Sequence, residues 1–91
     1  EWDPRKAGTN ARKHRVTFAE AAEVFLDHQS LTIHDPDHSL EENRFVTIGL
    51  SGKGRLLTVI HAERANRIRI ISARRSTSGE ARRYGGKAGP R

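Results

Sequence analysis

Apolar residues near the start of the chain recur with the period of an α-helix. They lie on one helical face, at the first position and at three, four, seven and eight residues beyond it: Phe18, Ala21, Ala22, Phe25 and Leu26. Thr17 and Glu20 have the spacing of a capping box, a pattern typical of helix starts. We therefore predict a helix over 18–27.

Two further helices are predicted from the residues that start them. Asp3 followed by Pro4 supplies an N-cap and a proline at the first helical position. Thr77 and Glu80 repeat the capping-box spacing near the end of the chain. These two helices are expected over about 4–14 and 77–84.

Between the helices, the pattern changes to the alternation that is typical of strands. Segment 67–70, Arg-Ile-Arg-Ile, alternates strictly, which directs Ile68 and Ile70 toward a core and the two arginines outward. Polar or glycine-containing segments separate the apolar runs at 35–43, 51–54 and 65–66. The predicted strands are 31–34, 44–50, 55–62 and 67–72.

This order of elements predicts a single α+β domain. The expected order is two N-terminal helices, an antiparallel meander of three or four strands and a C-terminal helix. The helices would cover one face of the sheet. We expect the domain over 1–84 and a flexible, glycine-rich tail over 85–91. A chain of this length buries only ~60–65% of its unfolded surface, so a large enclosed cofactor pocket is not expected.

Several classes of protein are disfavoured by what the chain lacks. Without cysteine it cannot form disulfides, zinc–thiolate sites or thiol nucleophiles. It has no apolar run of about 18 residues and no secretion signal, so we expect no membrane span and a cytoplasmic location.

Basic side chains are concentrated in the second half of the chain. Residues 44–91 carry twelve basic and two acidic side chains, whereas residues 1–43 carry five basic and nine acidic ones. Most of the basic residues are arginine, whose guanidinium can bind a phosphate through two hydrogen bonds. This half therefore indicates a polyanionic partner, RNA or DNA above all, with a merely solvated basic surface as the alternative.

Most of the residues that could take part in catalysis lie near the predicted turn at 65–66. Alternation puts His61 and Glu63 on one face, and we expect Arg67 and Arg69 to return beside them across the hairpin. RNA cleavage without a metal needs a base, an acid and cations at the phosphate, which histidine, glutamate and arginine can supply. Further candidates are Arg64, Arg74, Arg75, Arg82, Arg83 and Tyr84.

Each of these candidates also has a structural interpretation. His61 can be a neutral, hydrogen-bonded histidine in a strand, and Tyr84 can be a packed residue at a helix end. Glu63 can form an exposed ion pair with Arg67 or Arg69 across the hairpin, worth under ~1 kcal/mol.

Two further polar segments carry weaker signals. Segment 34–38, His-Asp-Pro-Asp-His, could hold a divalent ion, but it lacks defined ligand spacing and we interpret it as a plain loop. Lys13 and His14 suit the negative end of the first helix dipole, with contact to phosphate as the alternative. We therefore predict neither a metal ion nor a cofactor.

Several stretches together form a recognisable combination: 1–4 (Glu-Trp-Asp-Pro), Lys13-His14, 61–64 (His-Ala-Glu-Arg), 68–74 (Ile-Arg-Ile-Ile-Ser-Ala-Arg) and Glu80 to Tyr84. This combination resembles BrnT-type toxins of bacterial toxin–antitoxin pairs over about residues 1–84, and 68–74 is its most specific part. Two positions differ from the family pattern. Arg15 stands where a glycine is common, and Gly79 stands where a longer side chain is usual.

The resemblance implies a fold like that of RelE-type ribonuclease toxins and RNA cleavage that halts translation. It also implies a BrnA-like antitoxin with a ribbon–helix–helix-like DNA-binding domain, so that operator DNA is an indirect partner of the complex. The alternative function is a non-catalytic nucleic-acid-binding or complex-forming module that acts as a corepressor with its partner.

Residue chemistry and resemblance together define the candidate site. The expected catalytic set is His61, Glu63, Arg64, Arg74 and Tyr84. The expected RNA-binding set is Lys13, His14, Arg67, Arg69, Arg75, Arg82 and Arg83.

Overall fold

The computed structural model describes residues 1–35 and 42–87, which form three α-helices and a four-stranded sheet. In chain order the elements are α1 (Pro4–His14), α2 (Phe18–Ala22) with a 3-10 turn (Glu23–Leu26), β1 (Leu31–His34), β2 (Arg44–Leu50), β3 (Leu56–Arg64), β4 (Arg67–Arg75) and α3 (Ser78–Lys87). The strands pair antiparallel in the order β1-β2-β3-β4. The predicted α+β class and order of elements are confirmed.

The helices start where the local sequence signals predict. Asp3 Oδ1 accepts a first-turn N–H of α1 at 2.9 Å, and Thr17 Oγ1 accepts the N–H of Glu20 at 3.1 Å. At α3 the capping box closes in both directions. Thr77 Oγ1 accepts the Glu80 N–H at 3.2 Å, and Glu80 Oε1 accepts the Thr77 N–H at 2.9 Å.

The main core lies between α1, α2 and one face of the sheet, which we call the helix face. Its buried members are Val16, Phe18, Ala21, Val24, Leu57, Val59, Ile70 and Ala73. Helix α3 packs on the opposite face, the α3 face, where Glu80 contacts Thr58 and Arg74. The prediction that the helices cover one face of the sheet is therefore wrong. Because strand side chains alternate, Leu57 faces the core while the next residue, Thr58, faces α3.

A β-bulge interrupts the pairing of β3 with β4. Ile60 pairs with Ser72. The next residue of β3, His61, pairs with Ile70, so β4 contains one extra residue at this point. The extra residue reverses the alternation, and both Ile70 and Ala73 therefore reach the core although they are three positions apart.

The outer edge of β4 is covered from two directions. Trp2 forms a parallel bridge with Ile70, whose N–H donates to the Glu1 carbonyl at 3.0 Å. Further along, the buried amide of Asn10 pairs with both main-chain groups of Ala73. Asn10 Oδ1 accepts the Ala73 N–H at 3.0 Å, and Nδ2 donates to the Ala73 carbonyl at 2.8 Å. These contacts satisfy edge groups that would otherwise be open to pairing with another strand.

The second helix is shorter than predicted. The α-helix ends at Ala22 and tightens into the 3-10 turn, instead of continuing to residue 27. This turn passes very close to β2, since a Cβ placed on Gly49 would lie 3.0 Å from Val24 Cβ and 3.1 Å from the Val24 carbonyl oxygen. The turn is therefore shaped by a close tertiary approach, which glycine permits.

Other element ends also differ from the prediction. Strands β3 and β4 extend to Arg64 and Arg75, joined by a two-residue turn at Ala65 and Asn66 with φ of 52° and 66°. Helix α3 continues to Lys87, so 85–87 are helical where a tail was expected, and 88–91 lie outside the described residues. Within the described part of the chain, no helix has the length and apolar character needed to cross a membrane.

Arg15 adopts the left-handed conformation at the end of α1. Its φ is 60° and its ψ is 32°, and its N–H donates to the Ala11 carbonyl at 3.0 Å. Arg55 donates to the Arg15 carbonyl at 3.0 Å and holds this position. The left-handed cap is therefore kept although arginine replaces the usual glycine.

Candidate functional site

The predicted site residues are divided between the two faces of the sheet. Across the two-residue turn, Arg64 pairs with Arg67, which places both on the α3 face with Arg69. His61 and Glu63 lie on the helix face because strand side chains alternate. The two β4 arginines therefore start from the face opposite to His61 and Glu63, although Arg67 and Glu63 line the same cavity at the hairpin tip.

His61 is buried in the helix face between two aromatic rings. The Phe25 ring meets it edge-on at 4.9 Å, and the Phe45 ring stacks on it at 5.8 Å between centroids. Its Nε2 lies 2.7 Å from Thr47 Oγ1, which lies 2.8 Å from Thr32 Oγ1. The residue is 1% exposed, and this burial lowers the pKa of the imidazole to about 4. The ring is therefore neutral at pH 7.

Glu63 lies next to His61, at the end of the same face. Its Oε2 is 3.5 Å from His61 Nδ1, a buried atom without a hydrogen-bond partner among the described residues. The Glu63 side chain is 44% exposed, and its main-chain N–H donates to the Asn43 carbonyl at 3.2 Å. The backbone is thus anchored while the carboxylate is accessible to solvent.

A cavity of about 430 Å³ lies at the tip of the β3–β4 hairpin, and we call it the hairpin hollow. Glu63, Arg64 and Arg67 all contribute to its wall, together with Phe45. The three charged residues line one cavity at the hairpin tip, although their side chains start from opposite faces of the sheet. The arrangement combines one carboxylate with two guanidinium groups.

A second cavity, of about 310 Å³, lies beside it on the α3 face and is called the arginine hollow. Arg64 and Arg67 line both cavities, so the two join at the hairpin tip. Ala62 and Arg69 also line the arginine hollow, and Ala62 is 5% exposed. Within the described part of the chain, Arg64 has no ion pair with any acidic residue.

Arg67 and Arg69 of β4 each form an ion pair with an acidic residue from another part of the chain. Arg67 Nη1 lies 3.0 Å from Glu1 Oε1, and Arg69 Nη2 lies 2.5 Å from Glu42 Oε2. The structural interpretation of Glu63 as the partner of either arginine is therefore wrong.

Arg74 and Tyr84 lie away from the hairpin and hold α3 against the rest of the protein. Two nitrogens of Arg74 each lie 2.8 Å from an oxygen of Glu80, and this bidentate pair is the main cause that lowers the pKa of Glu80 to about 2. The Tyr84 hydroxyl donates to Asp27 Oδ2 at 2.7 Å. Both polar groups are thus engaged within the protein.

The other predicted RNA contacts lie on the outer surface. Lys13 and His14 line a groove of about 300 Å³ between α1 and β4. Arg75, Arg82 and Arg83 are exposed at the end of β4 and on α3. Most of the candidate metal loop 34–38 lies outside the described residues.

Sequence reasoning missed Arg44, at the start of β2, as a member of the site. Arg44 pairs with Ala62 in the sheet, and its Nε lies 3.5 Å from Glu42 Oε1. The predicted turn at 51–54 contained a usable signal, because the register that it sets brings Arg44 beside the end of β3.

We expect the free energy of unfolding to decrease by about 2 kcal/mol between pH 7 and pH 5 because of His61. The pKa of His61 is about 4 in the folded protein and about 6.5 in an unfolded chain, so protons bind preferentially to the unfolded state between these values. Urea unfolding across this pH range measures the decrease, and His61→Phe, which keeps a ring between Phe25 and Phe45, should show less of it.

A titration of the His61 ring by NMR checks the same expectation directly. An inflection near pH 4 agrees with a buried neutral imidazole. An inflection near pH 6.5 contradicts it.

Comparison with known proteins supports the resemblance seen in the sequence. The model of the family described as ribonuclease toxin, BrnT, of type II toxin-antitoxin system matches residues 2–80. The chain is also similar to the crystal structure of the Brucella abortus ribonuclease toxin, BrnT, with a TM-score of 0.62 and 26% sequence identity, over 85% of this chain and 94% of that chain. No curated protein matches the sequence. The chain therefore belongs to the BrnT family of ribonuclease toxins of type II toxin–antitoxin systems.

Proposed function

We propose that this protein is an endoribonuclease that cleaves RNA without a metal ion. The observation that carries the proposal is the hairpin hollow, whose wall contains the Glu63 carboxylate together with Arg64 and Arg67. A base and adjacent cations are the groups needed when a ribose 2′-hydroxyl attacks its own phosphate. Membership of a family of ribonuclease toxins supports the same activity.

In the proposed reaction, Glu63 takes the proton of the 2′-hydroxyl. The 2′-oxygen bonds to phosphorus, and the bond between phosphorus and the 5′-oxygen of the next nucleotide breaks. The leaving oxygen takes a proton from water in the open hollow, which gives a 2′,3′-cyclic phosphate and a free 5′-hydroxyl. The hydroxide that remains takes the proton from Glu63, which restores both the water and the carboxylate. Arg64 and Arg67 stabilise the additional negative charge on the phosphorus centre.

Both arginines are available for this role. Arg64 has no acidic partner in the described part of the chain, as noted above. The ion pair of Arg67 with Glu1 is exposed, with 76% and 52% of the two side chains accessible. Exposed pairs of this kind contribute under ~1 kcal/mol, so Arg67 can exchange the carboxylate for a phosphate.

In this proposal His61 positions Glu63 and does not contact RNA. Its side chain is buried, and its Nδ1 lies 3.5 Å behind the Glu63 carboxylate. The Thr47 contact on Nε2 and the two phenylalanine rings hold the imidazole in place. Among the other candidates, Arg74 and Tyr84 act by holding α3.

The exposed basic residues would extend RNA binding beyond the hairpin. Their chemistry suits phosphate contacts, which supply most of the affinity of proteins for nucleic acids and depend strongly on salt. The proposed contacts are Lys13, His14, Arg67, Arg69, Arg75, Arg82 and Arg83.

We further propose that RNA cleavage inhibits translation in the cytoplasm and that a BrnA-like antitoxin neutralises the protein. A type II toxin–antitoxin family supports a protein antitoxin in general terms. The proposed antitoxin carries a ribbon–helix–helix-like DNA-binding domain, and the complex would repress its own promoter. Coexpression with the antitoxin should restore growth to cells that are arrested by this chain.

The direct test is incubation of the purified protein with RNA in EDTA. We expect fragments that end in a 2′,3′-cyclic phosphate, identified by mass spectrometry. Cleavage that requires added magnesium would overturn the metal-free mechanism. Salt-dependent binding without any cleavage would instead favour a non-catalytic nucleic-acid-binding module.

A further inference from the structure

The arginine hollow contains a carboxylate that belongs to the protein itself. Glu42 Oε2 lies 2.5 Å from Arg69 Nη2, and Glu42 Oε1 lies 3.5 Å from Arg44 Nε. Arg44 and Arg69 come from different strands and flank Ala62, which pairs with both in the sheet. One carboxylate thus bridges two guanidinium groups above a small, buried side chain.

A phosphate group has the properties needed to replace this carboxylate. Both anions accept paired hydrogen bonds from guanidinium groups, and a phosphodiester can also contact two arginines at once. Glu42, Ala62 and Arg69 line the arginine hollow, and Arg44 adjoins it through its ion pair with Glu42. The hollow continues to the hairpin tip through Arg64 and Arg67, so an RNA strand can occupy both cavities together.

The pair of Glu42 with Arg69 is suited to exchange. The two side chains are 23% and 42% exposed, so solvent screens their attraction. An incoming polyanion that gains several phosphate contacts can displace one such pair.

We propose that Arg44 and Arg69 form a phosphate-binding subsite for RNA, which Glu42 occupies in the free protein as an internal competitor. The identity of the ligand as RNA rests on the proposed function. The subsite lies beside the position where Glu63 would act, and it would hold a phosphate that is not the one being cleaved. Glu42 then sets how tightly RNA binds, while Glu63 sets how fast it is cut.

The test uses a single-stranded oligoribonucleotide with methylated 2′-hydroxyls, which binds but cannot undergo the proposed reaction. Glu42→Gln should tighten binding about fivefold, because the competing charge is removed. It should also steepen the dependence of log K on log salt concentration, by up to ~0.7 for one additional phosphate contact. In an Arg69→Ala background, Glu42→Gln should have much less effect.

Glu23→Gln is the matched control, because it removes the same charge from a residue that contacts the Gly52 N–H instead. If Glu23→Gln and Glu42→Gln raise the affinity for the oligonucleotide equally, the effect is one of net charge and the subsite is overturned. The subsite is also overturned if Glu42→Gln does not raise the affinity. The cleavage assay with unmodified RNA is independent of this result. If the wild type fails to cleave while Glu42→Gln still binds more tightly, the proposed activity is wrong and the subsite stands.

Discussion

Replacement of Glu63 by glutamine should lower the rate of RNA cleavage at least about 100-fold, since general-base catalysis typically contributes 10²–10⁴-fold. Glutamine keeps the size of the side chain but cannot take a proton from the 2′-hydroxyl. The exposed position of Glu63 means that the change should leave folding intact. Single-turnover cleavage of a short RNA at pH 7 measures the loss, and binding of the 2′-methylated oligonucleotide should not weaken.

Glu23→Gln again serves as the matched control and should cleave RNA at the wild-type rate. If Glu63→Gln cleaves as fast as the wild type, Glu63 is not the base. If it binds RNA poorly but cleaves normally at saturation, Glu63 acts in binding and the assignment must be changed.

Replacement of Asn10 by alanine should lower the free energy of unfolding by about 4 kcal/mol. Asn10 makes three buried hydrogen bonds, two to the main chain of Ala73 and one from Nδ2 to the Val16 carbonyl at 2.9 Å. Alanine leaves these main-chain groups without partners, and each buried unsatisfied group costs about 1–3 kcal/mol. Urea denaturation followed by circular dichroism measures the change.

Thr9→Ala, one position earlier on the exposed side of α1, is the control and should change stability by less than about 0.5 kcal/mol. A loss below about 1 kcal/mol for Asn10→Ala would show that water or a shifted backbone can replace the amide. Because Asn10 clamps β4, the variant should also loosen the strand that carries Arg67 and Arg69.

Local signals predicted the starts of the helices well. The hydrogen bonds of Asp3, Thr17 and Thr77 reach only two or three residues along the chain, so the sequence contains all the atoms that form them. The end of the second helix was not predictable in this way. It depends on Val24 meeting Gly49 of β2, a residue far away in the chain.

The division of the candidate site between two faces was partly accessible from the sequence. A two-residue turn at 65–66 pairs Arg64 with Arg67, and this register alone separates the β4 arginines from His61 and Glu63. The ion pairs were not accessible in the same way. The partners of Arg67 and Arg69 are Glu1 and Glu42, which come from distant parts of the chain.

The bulge in β4 shows a limit of pattern reading. Strict alternation would place Ile70 and Ala73 on opposite faces, yet both are buried in one core. The extra residue lets both side chains pack against α1 and α2, and the sequence of β4 alone does not predict this. The role of Asn10 is also invisible in the sequence, because its hydrogen bond to Ala73 forms only when β4 packs beside α1.

The order of helices and strands, the tight hairpin, the shared face of His61 and Glu63 and the family were all predictable from the amino-acid sequence. These features follow from contacts over a few residues, from the periods of helices and strands, and from sequence motifs of the family. The burial of His61, the hollow that Glu63 shares with Arg64 and the position of Glu42 in the wall of the arginine hollow became visible only in the folded domain. Burial and ion pairing depend on which distant segments meet, and that information lies in the packing of the whole domain.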